Sequence, residues 1–168
     1  MNRTIHAAPI RKTLVVRASP EKAFEVFTAR FDRWWPRKHY IGASPLVRAT
    51  IEPGVGGRWY STHEDGSEAP WGEVLVWEPP HRLILAWRIS HEWRYVPNLL
   101  TEVEVQFIAL DDVRTRVELE HRHLDRMGDT PKVAETITSM DRGWGMILGE
   151  FQEAVEDPLS QAASAVTG

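Results

Sequence analysis

The chain has 168 residues, 42% hydrophobic and 26% charged, which supports one packed core and excludes a disordered body. Its formal net charge of −4 excludes a nucleic-acid binder that works by neutralising phosphates. Cysteine is absent, so disulfides and thiolate metal sites are ruled out and a cytoplasmic location is expected.

No apolar run approaches the roughly 20 residues of a membrane span, and the first residues lack the apolar stretch of a secretory signal. Ile10 to Arg17 reads as a β-strand. Ser19, Pro20 and Glu21 then supply an N-cap, a first helical residue and a favourable charge for the helix dipole. Ala23, Phe24, Phe27 and Phe31 continue as a helical stripe, which Trp34-Trp35-Pro36 closes. Strands are expected over Leu46 to Glu52 and Arg58 to His63, joined by the turn Pro53 to Gly57. The Asp65-Gly66 turn signal follows. Trp71 to Glu78 and Arg82 to Ser90 flank Pro79-Pro80, and Leu100 to Leu110 and Val113 to His123 flank a tight hairpin at Asp111-Asp112.

The last two strands alternate well. Val103, Val105 and Phe107 oppose Glu102, Glu104 and Gln106, and Val117, Leu119 and His121 oppose Arg116, Glu118 and Glu120, giving one buried and one wet face. After a loop over 124–130, Thr130-Pro131 opens a second helix reaching about Val155. Its stripe is Ile137, Met140, Trp144, Ile147, Leu148 and Phe151. Gly143, Gly145 and Gly149 are poor helix formers, and three in one helix suggest a close approach or a bend. Residues 1–9 and 157–168 are expected to be flexible ends of a single domain over 10–156. The predicted class is α+β, a curved antiparallel sheet of six or seven strands wrapped around the long C-terminal helix, with a short helical segment after the first strand.

Several segments resemble those of one superfamily: Ala18-Ser19-Pro20-Glu21, Trp34-Trp35-Pro36 through His39-Tyr40-Ile41-Gly42, Pro53 to Trp59, Trp71-Gly72-Glu73-Val74, Trp77 through Leu83 to Trp87, Thr115 to Val117 with Leu119 and His121, and Gly143-Trp144 with Leu148. In this order they resemble the SRPBCC superfamily, the START-like and birch-pollen-allergen-like helix-grip folds. Within it they are similar to the bacterial group related to the activator of heat-shock-protein-90 ATPase. The resemblance implies a cavity between sheet and C-terminal helix for hydrophobic small molecules, including lipids and polyketides. It brings no shared catalytic motif and no cofactor. The co-chaperone role is not carried over, because only a short segment precedes the first strand.

In such a cavity the expected ligand contacts are Trp35, His39, Tyr40, Trp59, Trp71, Trp87, Phe107, Leu119, His121, Trp144 and Leu148. The eight tryptophans of the chain could serve core, interface or pocket alike. His121 and Glu73 are candidate acid/base residues. The plainer alternatives, preferred for both, are a hydrogen-bonded histidine at the sheet end and a glutamate on the solvated face. The strand from Gly72 to Trp77 is apolar on both sides, so the pattern does not fix which face is inward. His121 and His123 alternate, but no third ligand stands nearby, and no metal is expected. Three functions follow in order: a binder of hydrophobic or aromatic small molecules, an enzyme acting on an aromatic or polyketide-like substrate, and a protein-partner module, with a homodimer left open.

Overall fold

The computed structural model describes residues 7–157; the ends expected to be flexible lie outside them, apart from 7–9 and 157. Strands β1 (Ile10–Val16), β2 (Leu46–Ile51), β3 (Arg58–His63), β4 (Glu68–Glu78), β5 (Arg82–Trp87), β6 (Thr101–Ala109) and β7 (Thr115–Arg122) form one antiparallel sheet. Its order is β1-β7-β6-β5-β4-β3-β2. Helices α1 (Pro20–Thr28) and α2 (Phe31–Trp34) follow β1, and α3 (Pro131–Glu156) ends the described chain. The sheet curls into a half-barrel that holds α3 along its concave face, an α+β helix-grip fold.

Both long helices begin as their sequences dictate. Ser19 Oγ accepts the backbone N–H of Lys22 at 3.2 Å, and Thr130 Oγ1 accepts that of Val133 at 3.2 Å. The stripe from Ala23 to Phe31 is not one helix, however. Trp34 Nε1 donates to the Val26 carbonyl at 2.9 Å, the group a continuing helix would have offered to Arg30. The Arg30 N–H reaches back to Glu25 instead, and α2 starts afresh at Phe31.

Alternation in β6 and β7 carries through to the pairing. Val103 lies opposite His121, Val105 opposite Leu119 and Phe107 opposite Val117, and all six are buried. The connection between them is longer than a tight hairpin. It spans 110–114, with the Leu110 N–H bonded to the Arg114 carbonyl and Asp111 Oδ1 accepting from the Val113 N–H.

β4 departs most from the sequence pattern. It begins at Glu68 and runs through Pro70, because Tyr60 pairs with Pro70 while Trp59 pairs with Gly72, leaving Trp71 as the extra residue of a bulge. The bulge resets the alternation. Trp71 and Val74 are buried, and Glu73, paired with the exposed Arg58, faces out. Here β4 presses against the β5 backbone: a Cβ on Gly72 would stand 1.7 Å from the Ala86 carbonyl oxygen. Gly72→Ala must push two paired strands apart. A loss of about 3 kcal/mol in urea denaturation is expected, the upper end of overpacking effects.

Candidate ligand-binding cavity

A cavity of about 300 Å³ opens between α3, the segment after α2 and the ends of β4 and β5. Four tryptophans make its wall: Trp35 beyond α2, Trp71 at the β4 bulge, Trp87 at the end of β5 and Trp144 on α3. Ring centroids lie 5.1 Å apart for Trp35 and Trp71, 6.1 Å for Trp35 and Trp144, and 6.0 Å for Trp87 and Trp144. Lys38, His39, Tyr40 and Ile41 edge it on one side, Ile89 and Trp93 on another, and Ser139, Met140, Gly143 and Ile147 supply the helix side.

Every indole N–H of those four walls is already engaged by the protein. Trp35 donates to the His39 carbonyl at 2.6 Å, and Trp71 to Ser61 Oγ at 3.0 Å. Trp87 donates to the Ile89 carbonyl at 3.2 Å, and Trp144 to His121 Nδ1 at 3.2 Å. What remains for an occupant is ring carbon surface.

Two histidines brace this wall from behind. His121 is fully buried. Its Nδ1 accepts from Trp144, so Nε2 carries the proton and donates to Thr101 Oγ1 at 2.9 Å, and Thr101 in turn donates to the Trp87 carbonyl at 2.8 Å. Both ring nitrogens are thus used, and burial pushes the imidazole pKa down to about 3, so the ring is neutral. The second relay ends on Trp71. Ser61 Oγ stands 2.8 Å from His63 Nε2, and His63 Nδ1 donates to the Ser44 carbonyl at 2.7 Å. The His63 ring also meets Tyr40, with centroids 5.6 Å apart.

Of the positions expected to contact a ligand, Trp35, His39, Tyr40, Trp71, Trp87 and Trp144 are brought together in the wall. Trp59, Phe107, Leu119, Leu148 and His121 are not. Trp59 stands behind Trp71 and Trp87, at 5.3 and 5.5 Å, and Phe107 packs against Phe24 and Phe27 in the core. His121 cannot serve as a general base from where it sits, since it neither reaches the cavity nor has a free lone pair. Glu73 is likewise displaced from any catalytic part. On the outer face its Oε1 takes Arg88 Nε at 2.6 Å, and Arg88 also donates to the Pro97 carbonyl at 2.8 Å.

His123 diverges from His121, being partly exposed beyond β7, and among the described residues no group of three His, Asp or Glu is arranged to hold a metal. Lys38, Ile41, Ile89, Trp93, Ser139, Met140, Gly143 and Ile147 complete the wall without having been singled out as contacts. For Met140 and Ile147 the helical stripe was the available signal. For Trp93 it was a large aromatic set among the polar and charged residues His91, Glu92 and Arg94. The three glycines of α3 also read differently. Nothing lies within 4 Å of a Cβ at Gly143 or Gly149, and at Gly145 it would meet Lys12 Nζ at 3.9 Å, an ordinary contact, so close approach is not their role.

A sheet gripping a helix around an aromatic cavity defines a helix-grip protein of the SRPBCC superfamily. The chain belongs to the Activator of Hsp90 ATPase homolog 1-like protein family, whose model matches residues 17–156. Among solved structures it is similar to an anthrahydroquino-gamma-pyrone synthase solved in complex, at 41% identity over 81% of this chain and 88% of that one, with a TM-score of 0.57. It is also similar to the self-sacrificing resistance protein CalC of Micromonospora echinospora, at 34% identity over 89% and 94% of the two chains, TM-score 0.66. The Aha1 dimer of Colwellia psychrerythraea shares the fold at 16% identity over 90% and 98%, TM-score 0.54. No curated protein matches the chain. Among the described residues no helix is long and apolar enough to cross a membrane.

Proposed function

We propose that the chain binds a flat aromatic small molecule, neutral or anionic, in the cavity walled by Trp35, Trp71, Trp87 and Trp144. The observation that carries this reading is the engagement of all four indole N–H groups by protein partners, which leaves the wall as ring surface suited to stacking. Charge narrows the class. Aromatic cages also recognise ammonium groups, but the residues around this cavity include Lys38 and His39 and no carboxylate, in a chain of net charge −4. A volume near the lower end of the roughly 300–1,000 Å³ range of ligand pockets suits a compact ring system better than a long lipid chain. The names of two relatives above 30% identity, an anthrahydroquino-gamma-pyrone synthase and a resistance protein, support a polyketide-like ligand.

The test is quenching of tryptophan fluorescence by three probes. Anthraquinone-2-carboxylate should quench saturably at micromolar concentration, and decanoate and protonated 9-aminoacridine should not. Equal response to decanoate, or none to the anthraquinone, would sink the proposal. A second reading, an enzyme acting on the same ligand, draws on the synthase relative. Its acid/base groups would be Tyr40, His39 or Lys38 at the edge of the cavity, not His121 or Glu73.

A further inference from the structure

Trp93 differs from the other seven tryptophans in three ways. It is 47% exposed, whereas Trp34, Trp35, Trp59, Trp71, Trp87 and Trp144 are buried and Trp77 is partly buried. Each of those seven packs on another aromatic ring, and no such pair involves Trp93 among the described residues. Its backbone lies in the left-handed region at φ 60°, where a bulky side chain is disfavoured. With Trp35, Trp71, Trp87 and Trp144 it shares a place in the lining of the cavity.

The segment that carries it is held at its base. Ile89 bridges Tyr95, the Val96 N–H bonds to the Arg88 carbonyl and the Ser90 N–H to the Arg94 carbonyl, and the Trp93 N–H closes the turn onto Ser90. Arg88, fixed by Glu73 and by the Pro97 carbonyl, ties that base to the sheet. A strained backbone persists only where its surroundings impose it, and such residues cluster at ligand clamps. A large exposed indole, held against its backbone preference at the edge of a tryptophan-walled cavity and lacking a ring to pack on, has its missing partner in the cavity.

We infer that Trp93 is the closing wall of the site, stacking on the ring system of the bound aromatic and selecting flat ligands. This rests on the reading of the cavity as an aromatic-ligand site. Glu73, through Arg88, is then a positioning residue for the clamp.

The experiment pairs equilibrium dialysis of anthraquinone-2-carboxylate with urea denaturation, on the full chain and on Trp93→Gly and Trp93→Phe. Glycine relieves the positive φ and removes the ring; phenylalanine keeps a ring. The expected result is an affinity at least about tenfold weaker in Trp93→Gly, recovered in good part by Trp93→Phe, with the Trp93→Gly midpoint equal to or above that of the parent. An unchanged affinity in Trp93→Gly, or a lowered midpoint that marks Trp93 as a packing residue, overturns the inference while leaving the cavity reading intact. A parent chain that does not bind the probe overturns the cavity reading and this inference with it.

Discussion

Replacing His121 with leucine should both weaken the fold near neutral pH and remove a specific part of its acid sensitivity. Leucine is close to histidine in volume, so little cavity is made, but Trp144 Nε1 loses its acceptor inside the core. A buried donor left unpaired costs about 1–3 kcal/mol, and a loss of about 2 kcal/mol at pH 7.5 is expected. The pH term runs the other way. Burial holds the folded-state pKa at about 3 against an ordinary value of 6.5. Between those values the unfolded chain binds the proton and the folded chain does not, so stability is fully present above pH 6.5. It is lost as pH falls toward 3, at up to about 1.4 kcal/mol per pH unit. The leucine variant has no such slope. Carboxylates held low by arginine partners, such as Glu104 and Glu120, also lose stability in acid, but they do so in both chains and cancel in the difference. The two stability curves, from urea titrations at pH 4 to 8, should therefore converge and cross near about pH 5. A constant gap across that range would show that the imidazole titrates in the folded chain and is not sealed behind the tryptophan wall.

The same residue shows what sequence could and could not convey. Period-two alternation placed His121 on the inward face with Val117 and Leu119, because one face of β7 is apolar and the other charged. It could not say whether inward meant into a cavity or into the layer behind it. That depends on Trp87 and Trp144 reaching over the histidine and taking up both its nitrogens, through Thr101 in one case. Glu73 is the complementary case. Its strand reads as apolar on both sides, and the bulge at Trp71 and Gly72 shifts the alternation, so only pairing geometry decides that it faces out. The break between α1 and α2 was hidden for a similar reason. Phe27 and Phe31 keep helical spacing across it, and the deciding contact is a side-chain bond from Trp34 to Val26. The tryptophans were legible as a group, but the wall was not separable from the core. Trp59 and Trp71 are equally buried and adjacent, and only one of them meets the cavity.

Gly143 is where filling space should separate stability from binding. It lies on the cavity side of α3, one turn from Ser139 and Met140 on one side and from Ile147 on the other, and a Cβ there would meet no atom within 4 Å. The glycine is therefore not needed for packing, and it weakens the helix by about 1 kcal/mol relative to alanine. Gly143→Ala should recover about that amount and leave anthraquinone-2-carboxylate binding nearly intact, since one methyl removes little room. Gly143→Leu should also be at least as stable as the parent, because its side chain enters apolar space beside Trp144 and Ile147. Its affinity should fall by about 30-fold or more, equivalent to roughly 2 kcal/mol, because the side chain stands where the ring system would lie. Urea midpoints and equilibrium dialysis on the three chains check both halves together. A Gly143→Leu protein that is stable and binds as the parent does would move the ligand out of this cavity. If it is instead destabilised, the space beside α3 is closed in solution, and the glycine serves packing after all.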